Sequence, residues 1–198
     1  MTGRRISILL FVLCCAALFP LPSQSHVDSS QRINGTFYAI SSGRSAGRSR
    51  SGQFSLIVNR YTAPNELREL NEALGQGGQD NLLKALSRMN AGRVIIGTGV
   101  GVPANAIIRD AWGDGGTKLT VFYERYVRFF ELRYGTRSQD YPIGYAEIFL
   151  DRNGHGEGTL IPAAKVRLRG GDTWEVEDFG VLPARLMGLR ASGTVEIR

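Results

Sequence analysis

Residues 144–168 read GYAEIFLDRNGHGEGTLIPAAKVRL, and they contain the clearest structural signal in the chain. Runs of mostly apolar residues lie on both sides of Asn153-Gly154, as expected of two strands joined by a turn. Asn-Gly is a preferred pair for the two-residue type I′ turn, in which both central residues have positive φ. This stretch therefore predicts an antiparallel hairpin with Asn153-Gly154 at its tip.

Outward from this hairpin, the chain contains further short runs rich in aromatic and β-branched residues, separated by glycine-rich turns. Leucine stripes at helical spacing in residues 62–75 and 80–92 predict two helices, the first ended by Gly75 and the second begun at Asp80. Residues 124–134 fit a strand or a helix. About nine strands and one inserted helical pair predict an α+β fold that is mostly antiparallel β, sandwich- or barrel-like.

The N-terminus has the order of zones of a secretory signal peptide. In residues 1–25, two arginines precede an apolar run at residues 6–19, and small residues follow up to Ser25. The run is shorter than the roughly 20 residues that cross a bilayer as a helix. We expect general secretion, rather than a twin-arginine or lipoprotein route, cleavage near Ser25, and a single globular β-rich domain over residues 26–198. This domain would be periplasmic or extracellular.

Residues that usually bind metals or act as nucleophiles are scarce. Cys14 and Cys15 both lie in the predicted signal peptide, so the mature chain would be free of cysteine. His155 follows Asp151 in a stretch similar to an oxygen-rich calcium loop, but Pro162 stands where such a loop places its bidentate glutamate. A hairpin turn accounts for this stretch without an ion. The sequence therefore predicts no metal and no cofactor.

Basic residues outnumber acidic ones, 24 to 18, which gives a formal net charge of +6. Residues 42–52 read SGRSAGRSRSG, contain no large apolar side chain and predict a mobile loop between two strands. Arg44, Arg48 and Arg50 would be exposed on it, and guanidinium groups match phosphate, carboxylate and sulfate oxygens. We therefore predict anion binding by these three arginines, with a tolerated solvated insertion as the alternative.

The expected partner of that loop follows from the predicted export. An anionic envelope component or polysaccharide fits, whereas nucleic acid does not. No transmembrane segment is expected in the mature chain, and the sequence assigns no oligomeric state.

Paired carboxylates are the one catalytic option that the sequence leaves open, because glycoside hydrolysis needs only two of them. Five acidic residues in or beside predicted strands could face one concavity: Asp110, Glu124, Glu131, Glu147 and Asp151. Exposed ion pairing with nearby arginines explains most of them equally well. No pair can be chosen, so no catalytic residue is assigned.

The sequence leads us to expect a non-catalytic exported domain with a binding or structural role. The alternative is a carboxylate-based hydrolase that acts on envelope or extracellular glycans. Two carboxylates about 5–10 Å apart in a deep cleft would favour the enzyme.

Overall fold

The computed structural model describes residues 30–40, 49–125, 141–169, 173–178 and 183–195. The predicted signal peptide lies outside these residues, and so does most of the 124–134 segment. Within the described residues, no helix has the length and apolar character needed to cross a membrane.

The described residues form nine strands and one helix. The strands are β1 Gln31–Ile40, β2 Ser49–Val58, β3 Gly92–Ile96, β4 Val102–Trp112, β5 Gly116–Glu124, β6 Ile143–Leu150, β7 His155–Arg169, β8 Thr173–Asp178 and β9 Ala184–Ser192. The helix, α1, is Pro64–Leu86.

The strands form an antiparallel barrel. Their order is β6-β5-β4-β3-β2-β1-β9-β7-β8, and an additional β6–β7 pairing closes a ring of eight strands. The long strand β7 pairs along one edge with β9 through its first half and with β8 through its second half. The predicted mostly antiparallel β fold is confirmed, and of the two predicted forms the barrel is the one present.

Two apolar clusters follow from the alternation along these strands. One fills the barrel, with fully buried side chains such as Ile33, Leu56, Val121 and Ile148. The other lies between α1 and the outside of the barrel. A strand that is covered on both faces loses its polar alternation, which is why Val121 and Phe122 are both buried.

The predicted pair of separate helices is wrong, because the structure has one helix across this region. α1 continues past Gly75, and its only residue with non-helical backbone angles is Gly78, at φ 65° and ψ −153°. This residue kinks the helix without ending it. Leu70 and Leu74 before the kink and Leu82 and Leu86 after it pack in the same apolar cluster. Burial of both halves against one surface holds the element together where local glycine content predicted a break.

The start of α1 is stabilised by Glu66. Its carboxylate accepts a hydrogen bond from the Ala63 backbone N–H at 2.8 Å and forms an ion pair with Arg60 at 2.7 Å. The hydrogen bond from the Arg60 side chain is the main cause that holds the pKa of Glu66 below its ordinary value. One backbone donor at the helix N-terminus is thereby satisfied.

The predicted hairpin of residues 144–168 is present, but its turn is not type I′. A type I′ turn needs a positive φ at both central residues. Gly154 has φ 75°, but Asn153 does not have a positive φ, because all positive φ angles in the described residues belong to glycines. The Asp151 carbonyl accepts the Gly154 N–H at 3.0 Å, and the Asp151 carboxylate accepts the N–H groups of Asn153 and His155 at 2.8 and 2.9 Å. These bonds favour a three-residue turn with a left-handed glycine at its end.

Gly154→Val is expected to lower the free energy of unfolding by about 2 kcal/mol, because a β-branched residue is strained at positive φ. The added Cβ would also lie 3.2 Å from the Ala191 Cβ on β9. Urea denaturation of both proteins measures the loss. His155→Ala is the control and should change stability little, since its side chain is exposed and the turn bond is made by its backbone N–H. Equal stability of Gly154→Val and the parent chain would contradict this account of the turn.

Candidate functional site

Charge is distributed unevenly around the barrel. The four neighbouring strands β3, β2, β1 and β9 contain five arginines and no aspartate or glutamate. All eleven carboxylates in the described helix and strands lie in α1 and in β4 to β8. These four strands are therefore basic and free of acid, and the neighbouring strand β7 places the exposed Glu157 opposite the residues of β9 between Leu186 and Leu189.

Four of these arginines point away from the barrel interior. Each is exposed and lies next to at least one buried residue of its own strand, so the alternation of the strand places it outside. We call this surface the arginine face; its arginines are Arg32 on β1, Arg93 on β3, and Arg185 and Arg190 on β9. No ion pair to any of them is found among the described residues.

A bulge in β9 sets the direction of Arg190. Asn34 pairs with Arg190 and Thr36 pairs with Met187, so β9 has one extra residue between these pairs. Gly188 lies within it at φ 61°. Because the extra residue shifts the alternation, Met187 and Arg190 are both exposed while Leu189 is buried. The bulge thus turns a second β9 arginine towards the same surface as Arg32.

The arginine face contains a groove of about 650 Å³. It is lined by Arg32, Asn34, Gly35, Thr36, Gln53, Phe54, Ser55, Ile95, Gly97, Gly188, Arg190 and Ser192. The lining combines two guanidinium groups with amide and hydroxyl groups, and it contains no carboxylate. Such donors can bind an oxyanion through charge-assisted hydrogen bonds.

Arg32 and Arg190 lie diagonally across β1 and β9, since Arg32 pairs with Ser192 and Asn34 pairs with Arg190. Like charges at this spacing repel one another, so folding alone gives no reason to place them together. An anion between them would remove the repulsion. This arrangement makes the groove the best candidate binding site among the described residues.

Of the three arginines predicted from the sequence, only Arg50 is described; Arg44 and Arg48 lie outside the described residues. Arg50 does not lie in a loop, because β2 begins at Ser49 and Arg50 pairs with Ala39 of β1. Arg50 is exposed, and it lies an even number of residues from buried Phe54, so both point to the same side of β2. This places Arg50 at the end of the barrel rather than on the arginine face. Pairing with β1 extends the strand into sequence that has no apolar side chains of its own.

Exposed apolar side chains share the arginine face. Tyr38 and Ile40 of β1 are 48% and 56% exposed, and Met187 of β9 is 45% exposed. They lie on strands already shown to be acid-free, and Tyr38 pairs with Arg185. Most large apolar residues of the described chain are instead buried in the two clusters.

The five candidate carboxylates do not converge. Glu131 lies outside the described residues, Glu124 is exposed at the end of β5, and the Asp151 carboxylate is bound to its own turn. Asp110 of β4 and Glu147 of β6 are the two that line one groove, of about 380 Å³, between α1 and β8. They lie on strands separated by β5, two strand spacings apart.

Glu147 is engaged by its neighbours in that groove. The Lys118 ammonium lies 2.6 Å from its carboxylate, and the Tyr145 hydroxyl donates to it at 3.2 Å. Burial and the Glu147 charge raise the pKa of Tyr145 far above its ordinary value, so this hydroxyl remains a donor. The Glu147 carboxylate is thus already engaged by an ion pair and by a hydrogen bond.

A metal site is not apparent in the part of the chain that the structure describes, where no group of three or more potential ligands is placed to hold an ion. The Asp151 carboxylate, which the sequence placed in a calcium-like stretch, serves the hairpin turn instead. Comparisons with protein-family models, with curated proteins and with solved structures found no match to this chain.

Proposed function

We propose that this chain is an exported, non-catalytic binding domain whose arginine face holds an anionic envelope component or an acidic polysaccharide. The observation that carries the proposal is the groove between Arg32 and Arg190, which is lined by donors and contains no carboxylate. The proposal that the chain is exported rests on the order of charged, apolar and small residues in residues 1–25 and on the predicted absence of thiols after cleavage.

Electrostatics support a polymeric or clustered anion. A single exposed ion pair contributes about 0–1 kcal/mol, so one arginine alone would bind weakly. Several guanidinium groups on one acid-free surface add their potentials and attract anions over about a Debye length, roughly 8 Å at physiological salt. Arg44 and Arg48 lie in the sequence between β1 and β2, and Arg50 lies at the start of β2, so a variant of all three tests whether they add to this attraction.

A second candidate is the carboxylate-based hydrolase that acts on envelope or extracellular glycans. One observation favours it, namely that Asp110 and Glu147 line the same groove. Two observations weigh against it: the Glu147 carboxylate is already bound to Lys118 and Tyr145, and Asp110 and Glu147 lie on strands separated by β5. We therefore place binding first.

The test is binding of the full chain to polygalacturonate and to vesicles that contain phosphatidylglycerol, over a salt series. Wild type should bind at least one of these probes, with an affinity that falls as salt rises. Arg32→Gln/Arg190→Gln should weaken binding by up to about 25-fold, since each exposed contact contributes up to about 1 kcal/mol, or about fivefold.

The matched control is Arg68→Gln/Arg88→Gln, which removes two exposed arginines from the region of α1 and should bind as wild type does. A third variant, with Arg44, Arg48 and Arg50 changed to serine, measures the contribution of the three arginines predicted from the sequence. Absence of binding to both probes, or equal losses in the two paired variants, would refute the arginine face as the site.

A further inference from the structure

Of the five large apolar side chains that are exposed in the described residues, three lie on the neighbouring acid-free strands β1 and β9; the other two are Val100 and Trp112. We call Tyr38, Ile40 and Met187 the apolar patch. Thr36 pairs with Met187 and Tyr38 pairs with Arg185, so the patch lies along β1 and β9, beside the arginines. Exposed apolar groups that are contiguous and bordered by charge mark an interaction surface.

The patch lies towards one end of this surface. Ile40 is the last residue of β1, and Arg185 of β9 lies opposite Tyr38. Arg190 and Arg32 lie farther along β9 and β1, on the same outer side. Cations therefore flank the apolar side chains along the strands, with no carboxylate of these strands nearby.

We propose that the arginine face docks on the surface of an anionic lipid bilayer, with the apolar patch inserted at the boundary between headgroups and acyl chains. This inference rests on the proposed function and names its partner. Arginines would contact lipid phosphates, and the Tyr38 ring, apolar with a polar hydroxyl, suits the interface. Ile40 and Met187 would leave water.

A lipid surface explains both the arginines and the exposed apolar side chains of this face. A soluble acidic polysaccharide would satisfy the arginines but would leave the three apolar side chains in water. Peripheral membrane binding combines buried apolar area with attraction to anionic lipids, and the two contributions add. Nucleic acid would likewise use the cations alone.

The experiment is co-sedimentation of the full chain with vesicles of phosphatidylglycerol mixed into phosphatidylcholine, beside vesicles of phosphatidylcholine alone. Wild type should bind the mixed vesicles and bind phosphatidylcholine much more weakly. Arg32→Gln/Arg190→Gln should lower partitioning about 25-fold, at about fivefold for each arginine near an anionic surface. Tyr38→Ser/Ile40→Ser/Met187→Ser should lower it about tenfold or more through the lost apolar area.

Polygalacturonate separates this inference from the proposed function. The apolar-patch variant should bind this soluble polymer as wild type does, because its arginines are unchanged, and its melting curve shows whether it is folded. Vesicle binding that the apolar-patch substitutions leave unchanged would overturn bilayer insertion. Binding to polygalacturonate without binding to anionic vesicles would overturn the lipid partner and leave the proposed function standing. If wild type binds neither polygalacturonate nor anionic vesicles, both the lipid inference and the proposed function are refuted.

Discussion

Replacing Asn105 with leucine is expected to lower the free energy of unfolding by about 3–5 kcal/mol, because three backbone groups, one of them in a buried and two in part-buried hydrogen bonds, would lose their partners. The Asn105 amide donates to the carbonyls of Leu86 at 3.0 Å and Met89 at 3.3 Å, and its oxygen accepts the Glu124 N–H at 2.7 Å. It is the only buried polar or charged residue among those described. This side chain thus ties the end of α1 to the barrel.

A β-bulge places Asn105 in this position. Ala104 pairs with Tyr123 and Ala106 pairs with Phe122, so Asn105 is the extra residue of β4. Thermal and urea unfolding measure the effect, and the midpoint temperature should fall by about 10 °C for a domain of this size.

Tyr123→Phe is the matched control. The Tyr123 hydroxyl is also buried on β5, but no hydrogen-bond partner for it is present among the described residues. Burial raises the pKa of this hydroxyl, which therefore stays uncharged. Its removal should leave stability unchanged or raise it slightly, because a buried group without a partner carries only its desolvation cost. Equal losses from Asn105→Leu and Tyr123→Phe would contradict the role given to the Asn105 hydrogen bonds.

Gly156→Ala is expected to destabilise the barrel by about 3 kcal/mol or more, since the new methyl group would overlap backbone. An added Cβ would lie 1.8 Å from the Phe149 carbonyl oxygen and 2.8 Å from its carbon. Gly156 pairs with Leu150 on β6 and with Leu189 on β9, so relief of the overlap would disturb both ladders. Urea denaturation and amide hydrogen exchange of β6 and β7 measure the loss.

Gly75→Ala provides a glycine-to-alanine control with the opposite sign. In helix α1 the nearest atom to an added Cβ is the Leu168 Cδ1 at 3.6 Å, an ordinary contact. Alanine is favoured over glycine in a helix interior by about 1 kcal/mol, so this variant should be more stable than wild type. A loss of stability in Gly75→Ala would show that the helix does not pass through this residue as described.

Local pattern was sufficient to predict most of the strands. The run of residues 144–150 predicted β6, and the turn residues Asn153-Gly154 predicted the connection to β7, because both signals depend on neighbours a few positions apart. The antiparallel β class follows from the same short-range information. Local pattern also misled in two places. Glycines at 75–78 predicted two helices, and the lack of apolar residues at 49–52 predicted a loop.

The candidate site could not be predicted, because the tertiary structure alone brings its parts together. Arg32 and Arg190 come from opposite ends of the chain, and only closure of the barrel by β1 and β9 makes them neighbours. The bulge at Gly188 then decides that Arg190 faces outward. By itself the sequence determined the composition, the absence of acids in four strand segments and the short-range elements. Register and barrel closure decided which side chains share a surface, since these depend on pairing between distant residues that local pattern does not specify.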